Sequence, residues 1–170
     1  MQKSFSLLLI LLATTFAKAN FSDTAKSNSL PVVSVKDING QTVNFNEFVG
    51  TGQITVVSFF ATWCKPCLVE LNNIDAIYAE WQEKYHMKLV AVSVDDSRTV
   101  NKVKGVVTSK GWTYDILLDV NGDLKRALNV TNPPTTFLID KTGKIVYTHT
   151  GYLEGDELEL EKKIAELSGK

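Results

Sequence analysis

Cys64 and Cys67 are the only cysteines in this 170-residue chain, and both fall within the run Trp63-Cys64-Lys65-Pro66-Cys67. Two thiols so spaced can form a covalent staple, half of a metal site or a redox couple. The apolar run Ile54-Thr55-Val56-Val57-Ser58-Phe59-Phe60 precedes them, and an amphipathic helical pattern follows. That context places Cys64 at or beside a helix N-cap, where unpaired N–H groups and the positive end of the helix dipole favour an anion. Pro66 fits the first turn, which has no intrahelical N–H bond to lose, and Lys65 adds a positive charge. A thiol with a pKa of ~8.5 is only about 3% thiolate at neutral pH, whereas one lowered to ~7 is half ionised. Cys67 lies one turn further on, on the same helix face, so the two sulfurs can close a disulfide. So small a loop constrains the unfolded chain very little, which makes the pair a poor staple and a good switch. Cys64 is expected to be the exposed nucleophile and Cys67 the shielded thiol that resolves the mixed disulfide.

The other readings find less support. Zinc needs about four ligands, and beyond the two thiols the chain offers only His86 and His149 as soft donors, both expected at the surface. No metal is therefore expected, nor any other cofactor. A Cu(I)-binding thiol module is the alternative function, because soft thiolates suit that ion. A peroxidase would need an activating threonine three residues before the nucleophile, and that position is Ala61. Glu70, at i+3 from Cys67, is either a carboxylate that exchanges the proton of the buried thiol or an exposed first-turn glutamate favoured by the helix dipole. The preceding strand offers Ser58 as its inward polar group. Pro133-Pro134 stands before Thr135-Thr136-Phe137-Leu138-Ile139-Asp140; a proline there avoids a lost ladder bond, and the bond between the prolines can be cis or trans.

The elements that must position these residues can be read from periodicity. Val32–Val35 and Thr42–Phe45 read as strands joined through Asp37-Ile38-Asn39-Gly40, since Asn-Gly is a hairpin signal. Leu68, Leu71, Ile74, Tyr78, Trp81 and Tyr85 recur at steps of three and four, predicting a helix from Lys65 to Tyr85. Leu89–Val94 reads as a second buried strand. Ser97 is expected to cap a helix carrying Val100, Val103 and Val107 and stopped at Gly111. A short strand at Ile116–Leu118, a short helix at Asp123–Leu128, and a hairpin of Thr135–Asp140 with Lys144–His149 follow. A last helix spans about Gly155–Leu167, with Glu159 and Lys163 spaced as an i,i+4 pair. Alternating strands and helices predict an α/β layer around a mixed central sheet.

Composition narrows the setting. The chain is 44% hydrophobic and 22% charged, with 18 basic and 19 acidic residues, so it can bury a core and has no basic excess to attract nucleic acid. Residues 1–19 carry Lys3, an apolar run from Phe5 to Ala13 and the small-residue pattern Ala17-Lys18-Ala19. This predicts a signal peptide cleaved near Ala19, the alternative being an uncleaved N-terminal anchor; the run is shorter than the ~20 residues that span a bilayer. Loss of Lys3 and Lys18 leaves 16 basic against 19 acidic residues, a charge of -3. Residues 20–30 read as a flexible leader and 31–170 as one domain. The expected location is periplasmic or secreted, soluble and oxidising.

On the run Phe59-Phe60-Ala61-Thr62-Trp63-Cys64-Lys65-Pro66-Cys67 joined to the downstream Pro133-Pro134-Thr135-Thr136-Phe137 block, the chain resembles the extracytoplasmic thioredoxin-like proteins of the TlpA/ResA type, which are thiol-disulfide oxidoreductases. The N-terminal hairpin and a βα insertion near residues 97–118 extend the match over most of 31–170. The resemblance implies a thioredoxin fold, a Cys64–Cys67 redox disulfide, a Glu70 that serves the active site, and a cis Pro134 facing the cysteines whose backbone binds the partner's extended chain. Trp63, Lys65, Pro66 and Thr135 are expected to support substrate binding. Protein disulfides are the expected substrates, a reductase the expected direction, a membrane thiol reductant the expected electron donor, and a monomer the expected state. Departures stand at Asn72, where relatives usually have a kinking proline, and at Ser58, where cytoplasmic thioredoxins carry a buried aspartate. An apocytochrome, another secreted protein and a small disulfide are the candidate substrates.

Overall fold

Strand β1 (Ser34–Asp37) turns through Asn39-Gly40 into β2 (Thr42–Asn44) in the computed structural model, which describes residues 30–49 and 52–169. The expected signal segment and nearly all of the leader lie outside the described residues. Gly40 has a φ of 85°, and the Asp37 carboxylate accepts the Asn39 and Gln41 N–H groups, so the turn chemistry read from the sequence is what closes this hairpin. Two boundaries differ from expectation. The first strand begins at Ser34 rather than Val32, which is 81% exposed, and ends two residues later at Asp37, where the carboxylate starts the turn. Phe45 opens helix α1 (Phe45–Phe48) instead of closing a strand, and its ring is fully buried.

Strand β3 (Ile54–Phe60) is buried along its whole length and runs into α2 (Lys65–Tyr85), the helix the periodicity predicts. The helix ends at His86, which adopts a left-handed φ of 53° and is exposed. Strand β4 (Met87–Ser93) starts two residues before the expected Leu89. The insertion then departs from its expected cap. Asp96, not Ser97, starts the turn, its carboxylate accepting the Arg98 N–H and its carbonyl the Thr99 and Val100 N–H groups. A single 3₁₀ turn leads into α3 (Val103–Lys110), which stops at Gly111 with φ 73°. Strand β5 (Asp115–Leu118), α4 (Asp123–Ala127), β6 (Thr135–Ile139), β7 (Ile145–Thr150) and α5 (Asp156–Ser168) complete the chain.

The described strands form one seven-stranded mixed sheet in the order β2-β1-β5-β4-β3-β6-β7. The β3–β4 and β4–β5 pairs are parallel and the β3–β6 and β6–β7 pairs antiparallel. Alternation along β3 sends Ile54, Val56 and Phe60 to one face, beneath Leu71, Ile74 and Trp81 of α2 and Leu160 and Ile164 of α5. Val57 and Phe59 face the other side, with Phe45 of α1 and Leu124 of α4. This is the α/β architecture expected from the sequence, with β3 and β4 at its centre. No helix among the described residues is long and apolar enough to cross a membrane.

Candidate active site

The loop between β3 and α2 is tied down before the cysteines begin. Asp95, fully buried just after β4, accepts the Thr62 N–H at 2.8 Å and the Thr62 hydroxyl at 2.6 Å, and its other partner is the Ser93 hydroxyl at 2.9 Å. Parallel pairing extends past the strands, the Val94 N–H reaching the Phe60 carbonyl. The chain thus arrives at Cys64 from a fixed direction. Cys64 is the N-cap of α2, and its sulfur lies 3.4 Å from the Cys67 N–H that donates to it. This is the anion-favouring end of the helix, and Pro66 sits in the first turn without an unmet N–H.

Cys64 and Cys67 are joined in a disulfide with a Cα–Cα distance of 5.3 Å. Cys64 was expected to be exposed, yet in this oxidised form the residue keeps only 6% of its surface, because the pinned loop and the bond to Cys67 hold it against the helix; Cys67 keeps none. Lys65 and Pro66 are exposed, and Trp63 presents 64% of its surface to solvent. On the flank of the motif, Pro66 and Val69 meet Tyr152 and Leu153 of the β7–α5 loop in a shallow groove.

Glu70 is not an exposed first-turn residue. It is 4% exposed and points down onto the sheet, where the Ser58 hydroxyl donates to one carboxylate oxygen at 3.0 Å and the Thr136 hydroxyl to the other at 2.7 Å. Ser58 and Thr136 are register partners in β3 and β6. Burial pushes the Glu70 carboxyl up from 4.5 to about 7, and the two hydroxyls only partly offset it. A carboxyl tuned to that range can hold or release a proton near neutrality.

The Pro133–Pro134 bond is cis. Thr135 pairs with Phe59, so Pro134 continues the register toward the end of β3 from which the cysteine loop departs. Neither proline has an N–H, and the Pro134 carbonyl accepts the Gly151 N–H at 2.9 Å, which uses one of its two lone pairs and leaves the other for a bound chain. Thr135 is buried and turns its hydroxyl to the Asn132 carbonyl. Asn72, at the position of the usual proline, accepts the Trp112 indole N–H at 3.1 Å, and α2 passes through it without a break.

Three site contributors escaped the sequence reading. Asp95 and Thr136 carried little local signal, since Thr62 and Glu70, the partners that tie them to the site, lie 33 and 66 residues away. His149, expected as a surface residue, is half-buried on β7 with its Nε2 3.0 Å from Asp156 Oδ2. Among the described residues no group of three or more His, Cys, Asp and Glu side chains is arranged to hold a metal ion.

Comparison with known proteins agrees with this fold. The model of the AhpC/TSA family matches residues 26–148. The thiol-disulfide oxidoreductase ResA of Oceanobacillus iheyensis is 31% identical over 166 residues, covering 92% of this chain and 84% of the relative. The solution structure of a thioredoxin-like protein from Porphyromonas gingivalis is 51% identical and superposes with a TM-score of 0.74 over 82% of this chain and 92% of its own. The crystal structure of a putative thiol:disulfide interchange protein DsbE from Chlorobium tepidum is 25% identical, with a TM-score of 0.73 over 83% of this chain and 96% of its own.

Proposed function

The chain belongs to the AhpC/TSA family and is a thiol-disulfide oxidoreductase of the thioredoxin-like kind; on that premise we propose that it reduces protein disulfides outside the cytoplasm, with Cys64 as the attacking thiol. The observation that carries this reading is the position of Cys64 as the N-cap of α2, its sulfur accepting a main-chain N–H. In the dithiol form the same N–H and the positive end of the helix dipole stabilise a Cys64 thiolate.

The thiolate attacks one sulfur of the substrate disulfide, forming a mixed disulfide and releasing the first substrate thiolate. The Cys67 thiol then transfers its proton to Glu70, attacks Cys64 Sγ and releases the second substrate thiolate, leaving the Cys64–Cys67 disulfide. Two electrons pass to the substrate, and an external dithiol, by resemblance a membrane reductant, restores the pair. Trp63, Val69 and Leu153 give the rim of the motif exposed apolar surface suited to a polypeptide. Pro134 offers its ring surface and the second lone pair of its carbonyl to the partner's extended chain. The extracytoplasmic setting rests on the apolar run and Ala17-Lys18-Ala19 pattern, and on a chain with no third thiol to mispair under oxidising conditions. The reductase direction rests on the resemblance to TlpA/ResA-type proteins.

Insulin reduction is the direct test. The wild-type protein should precipitate insulin chains in the presence of dithiothreitol, and Cys64→Ser should fall to the uncatalysed rate; a fully active C64S protein overturns the assignment. The redox potential tests direction. A value near the roughly -270 mV of thioredoxin supports a reductase, and one near the roughly -120 mV of strong periplasmic oxidants reverses it.

A further inference from the structure

Glu70 is too deeply buried to exchange a proton with bulk water directly, so a proton taken from Cys67 needs a way out. The sheet lays out such a way. Ser58, Thr136 and His149 are register partners across β3, β6 and β7, on the face covered by α2 and α5. The first two donate to Glu70. The third reaches solvent, with 35% of its side chain exposed, and is held by Asp156 at the start of α5, whose Oδ2 also accepts the Leu153 N–H at 2.7 Å. Between Glu70 and this pair lies a small cavity walled by Thr136, Tyr147 and Leu160, with room for about one water.

We propose that His149, oriented by Asp156, is the relay that carries the proton between Glu70 and solvent during the resolving step. The proposal rests on the roles given above to Cys64, Cys67 and Glu70. Cys67 loses its proton to the Glu70 carboxylate; the protonated carboxyl passes a proton across the cavity to the His149 imidazole; and the imidazolium, neutralised by Asp156, gives a proton to water. No electron moves in these transfers, and Glu70 and His149 return to their starting forms.

The other ionisable groups facing Glu70 are less suited. Tyr147 on β7 and Tyr114 before β5 are both held above the ordinary phenol range by burial, and Tyr152 is pushed up to about 12. Glu157 of α5 is occupied by the Tyr152 hydroxyl at 2.7 Å and the Gly155 N–H at 3.1 Å. Imidazole is the side chain whose charge changes near neutrality. The ring of Tyr147 lies parallel to the imidazole of His149, with an interplanar angle of 3° and centroids 6.4 Å apart.

The test follows the mixed disulfide in the full-length protein. Reduced protein is mixed with a peptide disulfide, quenched with acid at intervals, and the mixed disulfide is quantified by mass across a pH series. His149→Gln should slow its decay about tenfold near neutral pH, imidazole buffer should restore the rate, and attack by Cys64, measured in a Cys67→Ser background, should not change. Asp156→Asn keeps a hydrogen-bond acceptor but not the charge, and should give an intermediate decay with a displaced pH profile. Decay and pH profile unchanged in both variants overturn the relay. So does slow decay in H149Q that imidazole does not restore, which marks the β7–α5 contact as purely structural. If H149Q does not fold, D156N decides by the same profile. A wild-type protein inert toward the peptide disulfide overturns the underlying assignment of Cys64, an outcome distinct from active wild-type protein with unaltered variants.

Discussion

Two carboxylates lie buried within reach of the cysteine loop, in different company. Asp95 accepts a main-chain N–H and two hydroxyls, and its bond to Thr62 is a fixed tie, because an N–H can only donate. Glu70 meets two hydroxyls and no N–H among its hydrogen bonds. A hydroxyl can turn to donate to a carboxylate or accept from a carboxylic acid, so this surrounding serves both protonation states of Glu70. Burial is common to the two residues and does not tell them apart. The kind of donor does: one carboxylate fastens the loop that delivers Cys64, and the other, one helical turn past Cys67, sits among hydroxyls that suit either charge state.

Substitutions at the two residues should separate these roles, and the largest effect is expected at Glu70. Glu70→Gln should slow decay of the mixed disulfide by roughly 100-fold and remove the pH dependence near neutrality. The same carboxyl also links stability to pH. Its folded pKa of about 7 lies above the ordinary 4.5, so between those values the folded chain holds a proton that the unfolded chain has lost. Stability therefore falls as pH rises through this window, by about 3 kcal/mol if the whole shift acts. Denaturant titrations of the oxidised protein should show that loss, and E70Q should flatten it.

Asp95→Ala should act on the scaffold instead. It leaves the Thr62 N–H and two hydroxyls without their acceptor, at a cost of about 2–3 kcal/mol, visible as a lower denaturant midpoint with the pH dependence of wild type retained. A pH profile that shifts in D95A as much as in E70Q would erase the distinction. Thr136→Val sharpens it from the Glu70 side. Loss of one donor should destabilise the ionised carboxylate, moving the midpoint of the resolving step toward higher pH and costing about 1 kcal/mol of stability at alkaline pH. Trp63→Ala should have the smallest effect on stability, within about 0.5 kcal/mol for so exposed a ring. Its effect should appear as a raised KM for insulin with kcat little changed.

Local signals carried much of this molecule. The Asn39-Gly40 turn, the α2 span from Lys65 to Tyr85 and the stop at Gly111 are each written in residues a few positions apart, because turn chemistry and helix periodicity are short-range. The placement of a cysteine pair between a buried strand and a helix start is equally local, and the chemistry of that junction follows from it. Boundaries were less legible where a side chain had two uses: Asp37 serves the turn as well as the strand, and Phe45 seeks the core through a helix as readily as through a strand.

What the tertiary structure decided is who meets Glu70. Spacing along α2 left it open between a carboxylate that serves the buried thiol and an exposed first-turn glutamate, since that choice depends on which strands pass beneath. The order β4-β3-β6-β7 and its register bring Ser58, Thr136 and His149 into one row, although they are far apart in the chain. Likewise Asp95 reaches Thr62 only because β3 and β4 run parallel side by side. The dithiol can be read from four consecutive residues; the surroundings that tune and serve it exist only once the strands have paired.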